Sequence, residues 1–177
     1  MQNNMDGLFN KIVLVLLLVL AVSCKKEEKI DAVKNNLIAE GKALINQNSN
    51  ILLDSLERYD MNILQKEGKL EPLKIALLDS VNINERFSRS TFKFCTFKLE
   101  ESDFSNFKSP YKLNLVKKEI SEIHVLFVSF FNLKVDKDVA EILVIKINGI
   151  SSTVDRYCFK KQGNKWIFTS KEQISMG

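Results

Sequence analysis

The chain has 177 residues with a formal net charge of +4, and it contains only two prolines and six glycines. This length suffices for one domain with a core of its own but leaves little room for a second. Acidic and basic residues are interspersed and form no arginine-rich stripe, so the composition argues against a nucleic-acid partner.

The chain opens with the parts of a secretory signal. Lys11 is followed by an unbroken apolar run from Ile12 to Val22, and then by Ser23 and Cys24. A membrane-spanning helix needs roughly 20 apolar residues, and this run is shorter, so it does not predict a permanent anchor. We therefore interpret residues 1–23 as a signal peptide that is removed on export.

The residues before Cys24 fit two kinds of cleavage. Ala21-Val22-Ser23 has the small-x-small pattern of an ordinary signal, which would release a soluble protein. The same residues, with Leu20 before them and Cys24 after them, resemble the lipobox of bacterial lipoproteins. That resemblance implies cleavage between Ser23 and Cys24 and acylation of the cysteine. We favour it, because a cysteine seldom falls by chance at the end of such an apolar run.

The lipoprotein resemblance implies a location and a partner. The acyl chains of Cys24 would hold the protein on a membrane, and two or three chains do so almost permanently. The expected location is the cell envelope, at the outer membrane of a Gram-negative bacterium. Residues 24–30 carry the charged run Lys25-Lys26-Glu27-Glu28-Lys29, which resembles the tether of surface-exposed lipoproteins. A solvated linker has the same composition, so the periplasmic and surface-facing orientations both stay open.

Residues 31–177 are predicted to form a single globular domain that begins with helices. Apolar residues recur at helical spacing over residues 29–46 and again over residues 52–63. The polar cluster at 46–50 contains good capping residues and predicts a break between two helices. Gly68 stands where the second helix is expected to end.

The remainder of the domain has the composition of a sheet. Of the twelve phenylalanines, only Phe9 precedes Phe87, and aromatic residues favour strands. Strands are predicted over residues 73–83, 91–99, 123–131, 139–147, 154–161 and 165–170. The predicted fold class is α+β, with N-terminal helices packed on an antiparallel meander sheet of about four or more strands.

The last predicted hairpin has a recognisable sequence. Its aromatic strand from Tyr157 leads into the turn Lys161-Gln162-Gly163-Asn164-Lys165-Trp166. This arrangement resembles the closing hairpin of many small secreted bacterial proteins and lipoproteins, and also that of nuclear-transport-factor-like α+β domains. The second resemblance implies a cone-shaped fold with a cavity, and it assigns no functional residue.

No catalytic or metal-binding set stands out in the sequence. His124 is the only histidine, which excludes multi-histidine metal sites, and its place at the start of an apolar strand favours a structural role. Asp136, Asp138 and Glu141 lie near a predicted turn, but they offer too few oxygen ligands and no bend glycine for a calcium loop. We therefore expect no metal and no cofactor, and the catalytic residues of any enzyme activity stay unassigned.

Cys95 and Cys158 are the thiols that remain once Cys24 is acylated. Both lie on predicted strands of an exported protein, so a disulfide between them is conceivable and would contribute roughly 2–4 kcal/mol. We favour two separate buried thiols slightly over the disulfide, because a single sequence determines cysteine pairing only weakly. Both interpretations stay open.

These observations favour a non-catalytic, envelope-anchored lipoprotein whose domain binds a protein or a small-molecule partner. The lipobox resemblance and the lack of a catalytic motif are the basis of this expectation. The alternative is a small hydrolase or isomerase that uses a carboxylate or His124 in a cavity between the helices and the sheet.

Overall fold

The computed structural model describes residues 32–60, 72–84, 94–122 and 124–177. The signal peptide, Cys24 and the charged tether therefore lie outside the described residues, as do the end of the second predicted helix, Gly68 and the side chain of Cys95. Residues Leu37–Gly177 form one compact unit, and the packing below refers to it.

One α-helix, α1, occupies residues 32–52 of the described chain. It runs straight through the polar cluster at 46–50, so the predicted break between two helices is wrong. The reason is that the polar side chains find partners without leaving the helix. Asn48 is buried and donates hydrogen bonds to the carbonyls of Leu44 and Trp166, at 3.1 and 3.0 Å. Among the described residues that follow the helix, up to residue 60, Leu56–Tyr59 form a short 3-10 turn.

Eight strands make up the rest of the described fold. In chain order they are β1 (Lys74–Leu78), β2 (Ser80–Asn84), β3 (Phe94–Lys98), β4 (Lys112–Val116), β5 (Val125–Asp136), β6 (Val139–Asn148), β7 (Ser151–Gln162) and β8 (Lys165–Met176). A second 3-10 turn, Glu101–Phe104, lies between β3 and β4.

The strands form one mixed sheet, and this overturns the predicted architecture. Strands β5 to β8 are joined as consecutive antiparallel hairpins, but β1 runs parallel to both β4 and β5. The predicted fold of helices packed on an antiparallel meander is therefore wrong: the described residues form a mainly β domain with one α-helix. Apolar alternation identifies strands, whereas it does not identify their partners, and the long connection between β1 and β5 permits parallel pairing.

Strands β1 and β2 lie along the same edge of β5 and then diverge. Lys74 to Leu77 pair with the first half of β5, and Ile83 pairs with Leu133 in its second half. Asp79 stands between the two strands, where its N–H donates to Val116 of β4 and its carbonyl accepts from Leu99 after β3. One residue thus splits the sheet into a β4 branch and a β3 branch.

The core lies between α1 and one face of the sheet, which we call the inner face. Side chains of the helix and of every second strand residue meet there. Its largest fully buried apolar members are Leu44, Ile45, Leu52, Ile75, Leu77, Ile83, Leu126, Phe130, Leu133, Tyr157 and Phe159. On β6 the inner row runs through Ala140, Ile142 and Val144, and its next member is Lys146. The inner row therefore ends in a charge.

Gly41 marks the closest approach of α1 to the sheet. A Cβ added there would stand 2.7 Å from Cδ2 of Leu133 and 3.2 Å from the ring of Phe97, and both neighbours are buried. We predict that Gly41→Ala lowers the free energy of unfolding by about 1 kcal/mol, because overpacking outweighs the better helix propensity of alanine. Urea unfolding followed by Trp166 fluorescence measures it.

The matched control is Asn36→Ala on an exposed helical position. There alanine has the same favourable propensity and meets no core side chain, so stability should rise by a few tenths of a kcal/mol. A stabilising Gly41→Ala would show that Leu133 and Phe97 can move aside and that this contact does not fix the position of the helix.

Candidate functional site

The most unusual feature of the described chain is a lysine inside the core. Lys146 follows Val144 on the inner row of β6, and its side chain is only 1% exposed. A buried ammonium is costly unless it is paired and hydrogen-bonded. Its Nζ donates to the backbone carbonyl of Asp54 at 2.6 Å and to Oδ1 of the same residue at 2.8 Å.

The end of α1 brings Asp54 to this lysine. The helix stops at residue 52, and Ser55 adopts a left-handed conformation with φ of 57°, which turns the chain into the 3-10 turn Leu56–Tyr59. Leu53 and Leu56 on either side of this bend are buried and hold it against the core. Lys146 thereby satisfies a carbonyl just past the helix end that would otherwise lack a partner.

Two further inner-face residues complete the hydrogen bonding of Asp54. Tyr157 on β7 donates its hydroxyl to Oδ1 at 2.8 Å. Lys171 on β8 lies 3.0 Å from both carboxylate oxygens of Asp54 and 3.1 Å from Oδ2 of Asp155. Its Nζ also stands 5.2 Å from the centre of the Tyr157 ring. We call these five side chains, Asp54, Lys146, Asp155, Tyr157 and Lys171, the charged cluster.

The cluster shifts the proton affinities of its members. Burial alone would raise the pKa of Asp54, but hydrogen bonds from Lys146, Lys171 and Tyr157 and the Lys146 charge outweigh burial and lower it. Burial lowers the pKa of Lys146 although Asp54 opposes the change.

The other two shifts have the same origins. Burial and the bond to Asp54 raise the pKa of Tyr157 far above its ordinary value. For Lys171, burial is outweighed by Asp54 and Asp155, so its pKa is raised. At neutral pH the tyrosine therefore keeps its proton, and the Asp54 carboxylate stays ionised.

A polar pocket of about 260 Å³ opens beside the charged cluster. It lies between the bend after α1 and the inner face of β6, β7 and β8. Its lining residues are Ser55, Arg58, Tyr59, Lys146, Thr153, Asp155, Lys171 and Gln173. The hydroxyls of Tyr59 and Thr153 are 3.1 Å apart and close one wall with a hydrogen bond.

Two other cavities are less suited to recognition. One of about 470 Å³ lies between α1 and the start of β8, but the amides of Gln47 and Asn48 there are already bonded to backbone atoms of residues 164 and 166. The other, of about 290 Å³, lies beside the β5–β6 turn with mostly apolar walls and no ionised group comparable to the buried Lys146. The polar pocket is therefore the candidate site.

The structure places the residues singled out in the sequence away from this pocket. His124 precedes β5, where its carbonyl accepts a hydrogen bond from the N–H of Lys74. Asp136 ends β5, Asp138 lies in the β5–β6 turn, and Glu141 pairs with Lys134 at 2.9 Å. Within the described residues, no group of three histidine, cysteine or acidic side chains could hold a metal ion.

The two remaining cysteines are not brought together either. Cys158 on β7 is a free cysteine. Cys95 lies on β3, and the strand order places β2, β5 and β6 between β3 and β7. Ser23 and Cys24, the predicted cleavage and acylation positions, lie outside the described residues.

No member of the charged cluster was predicted from the sequence to be a functional residue. A usable signal was present in β6: Lys146 is the one charged residue in the run Ile142-Leu143-Val144-Ile145-Lys146-Ile147, and alternation puts it on the buried face. Asp155 and Tyr157 share an inner row on β7. Asp54 carries no such signal, because its role depends on where the chain bends after the helix.

Comparison with known proteins adds no relative: no protein-family model, no curated protein and no solved structure matches the chain. In the part of the chain that the structure describes, no helix is long and apolar enough to cross a membrane. The polar pocket and the N-terminal sequence are therefore the two features of the chain that bear on its function.

The charged cluster predicts an unusually large effect for a single carboxylate. We expect Asp54→Asn to lower the free energy of unfolding by about 2–3 kcal/mol, because the buried Lys146 loses its counter-charge. The control Glu172→Gln removes a carboxylate from an exposed pair with Arg156 and should change stability by less than about 1 kcal/mol. Urea unfolding at pH 7 compares the two.

The difference in unfolding free energy between the wild type and Asp54→Asn is expected to depend on pH. Folding lowers the pKa of Asp54 below its ordinary value of 3.8, so the unfolded chain binds that proton first as the pH falls. The stabilisation by ionised Asp54 is complete above about pH 4 and is lost as the pH falls through the pKa of Asp54 in the folded state. The difference in unfolding free energy between the wild type and Asp54→Asn should therefore shrink at low pH. A difference that is the same at every pH would contradict this role of Asp54.

Proposed function

We propose that the protein is an envelope-anchored lipoprotein whose folded domain binds a small ligand in the polar pocket, without catalysing a reaction. The observation that supports binding is the buried Lys146, whose side chain is held by Asp54 at the floor of an open, polar-walled cavity. Side chains fixed by hydrogen bonds before a ligand arrives reduce the entropy lost on binding.

The protonation states around the pocket suit recognition better than acid–base catalysis. Burial lowers the pKa of Lys146, but its Nζ is bound to Asp54 and its side chain is only 1% exposed. A general acid or base works best with a pKa near the working pH. The lowered pKa of Asp54 makes it a weak base, and the raised pKa of Tyr157 makes it a weak acid. His124, which the enzyme alternative would use, does not line the pocket. These observations favour a binding domain over a hydrolase or isomerase.

The anchoring half of the proposal is supported by the sequence around Cys24. An apolar run too short to span a membrane ends there in small residues, and a charged segment follows. Acyl chains on the cysteine would keep the domain on the envelope membrane, and the charged segment would separate the domain from the lipid surface.

Acylation predicts a change of compartment for one cysteine variant. We expect Cys24→Ala to move most of the mature protein from the membrane fraction to the soluble fraction or to leave it as an unprocessed precursor, because the acyl chains are the proposed anchor. Membrane fractionation and intact mass measure this. Cys158→Ala, which removes a thiol of the folded domain, is the control and should stay with the membrane. An unchanged membrane fraction for Cys24→Ala would refute the anchor.

If the polar pocket is the ligand site, a side chain that fills the pocket should abolish ligand binding. Thr153 lies in the pocket wall, and a tryptophan there would occupy much of the cavity. A fragment library of mixed charge is screened against the wild-type chain by ligand-observed NMR. We expect the compounds that bind to lose their binding signal when Thr153→Trp replaces the wild-type chain. The control Val139→Trp fills the cavity at the β5–β6 turn instead.

The fold of both tryptophan variants is checked first by their far-ultraviolet circular dichroism. Compounds that still bind to Thr153→Trp, or a screen that yields no binder to the wild-type chain, would remove the proposed binding role.

A further inference from the structure

The ionised side chains of the polar pocket do not balance. Arg58, Lys146 and Lys171 line it as cations, whereas Asp54 and Asp155 are the carboxylates of the cluster and its wall. At formal charges the site therefore has one positive charge in excess. Glu57 and Asp60 neighbour Arg58 in the chain but do not line the pocket, and Asp60 is a hydrogen-bond partner of Tyr111.

The hydrogen bonds within the charged cluster use its acceptor and donor atoms unequally. Asp54 Oδ1 accepts from Lys146, Tyr157 and Lys171, so its lone pairs are occupied. By contrast, Lys146 uses two of its three ammonium hydrogens, both on Asp54. Asp155 is the carboxylate that lines the wall, and Lys171 lies 3.1 Å from its Oδ2.

Arg58 supplies the excess charge in an accessible form. It lies on the 3-10 turn after α1 and is exposed, and within the described residues its guanidinium makes no hydrogen bond or ion pair. A guanidinium presents a planar fork of donors that matches a carboxylate in two parallel bonds. The hydroxyls of Tyr59 and Thr153, bonded to each other, add adaptable partners in the same wall.

We propose that the ligand of this pocket is a small organic anion carrying one carboxylate. This inference rests on the binding role proposed above and narrows it to a chemical class. A single negative charge would neutralise the excess of the lining, and the exposed guanidinium of Arg58 would donate to it. The volume of about 260 Å³ limits the ligand to a small molecule.

Three probes of matched size separate charge from shape. Benzoate, benzyl alcohol and benzylammonium share a ring and a one-carbon substituent and differ in charge. Each is titrated into the full lipidated chain in neutral detergent, and the amide chemical shifts of the pocket-lining residues are followed by NMR. We expect saturable shifts with benzoate, with a Kd on the order of 1 mM for so small a ligand, and binding at least about tenfold weaker for the other two.

A pair of arginine variants tests the residue assignment. Arg58→Gln should weaken benzoate binding by about tenfold, which is the usual loss when a charged hydrogen-bond donor to a ligand is removed. Arg156→Gln removes the same charge from a residue that pairs with Glu172 and does not line the pocket, and it should leave binding unchanged. Arg58 is exposed, so its variant is expected to fold.

The outcomes distinguish this inference from the proposed function. Equal or tighter binding of benzyl alcohol or benzylammonium at the pocket would overturn the anionic class while leaving a binding pocket in place. Benzoate binding that is equally weakened by Arg156→Gln would show a general charge effect and would overturn the assignment to Arg58. If none of the three probes binds, the inference that the ligand is an organic anion is overturned. The fragment screen with Thr153→Trp then decides separately whether the pocket binds any ligand.

Discussion

The ion pair between Lys146 and Asp54 joins the end of α1 to the inner face of the sheet. It satisfies a buried ammonium, a carboxylate and a backbone carbonyl past the helix end in one contact. The bend at Ser55 depends on it, because the chain must turn there to carry Asp54 inwards while Leu53 and Leu56 stay buried. The same bend places Arg58 and Tyr59 in the pocket wall, where the Tyr59 hydroxyl is hydrogen-bonded to Thr153 on β7.

Stability alone does not explain this pair. Replacing a buried ion pair by apolar side chains of similar volume is often neutral or stabilising, because desolvation of two charges offsets their attraction. The inner rows of β6 and β7 are otherwise apolar as far as Val144 and Tyr157, so leucine or methionine would have continued the core at position 146. Retaining a charge at a site that opens into a polar cavity is more easily understood as a requirement of recognition.

The sequence predicted local features better than it predicted their arrangement. Alternation located most of the strands, and the turn at Gln162-Gly163-Asn164 lies between β7 and β8. The break at 46–50 was wrong because capping preferences are local, whereas Asn48 is satisfied by Trp166, 118 positions away. The parallel placement of β1 was beyond reach for the same reason, since a strand pattern does not name its neighbour. Lys146 could have been found from its apolar run, but Asp54 could not, because their contact spans 92 positions.

The position of β1 has a consequence for how the molecule is made. Strand β1 lies between β4 and β5, and Lys74 pairs with Val125, about fifty positions later in the chain. Because a chain is synthesised from its N-terminus, β1 is made well before the strand that covers its edge. Ile75 and Leu77 would then lack the strand that pairs with them, and such exposed strands aggregate readily. The order of strands in the sheet thus leaves the β1 edge that β5 covers unpaired until the C-terminal half of the domain has been made.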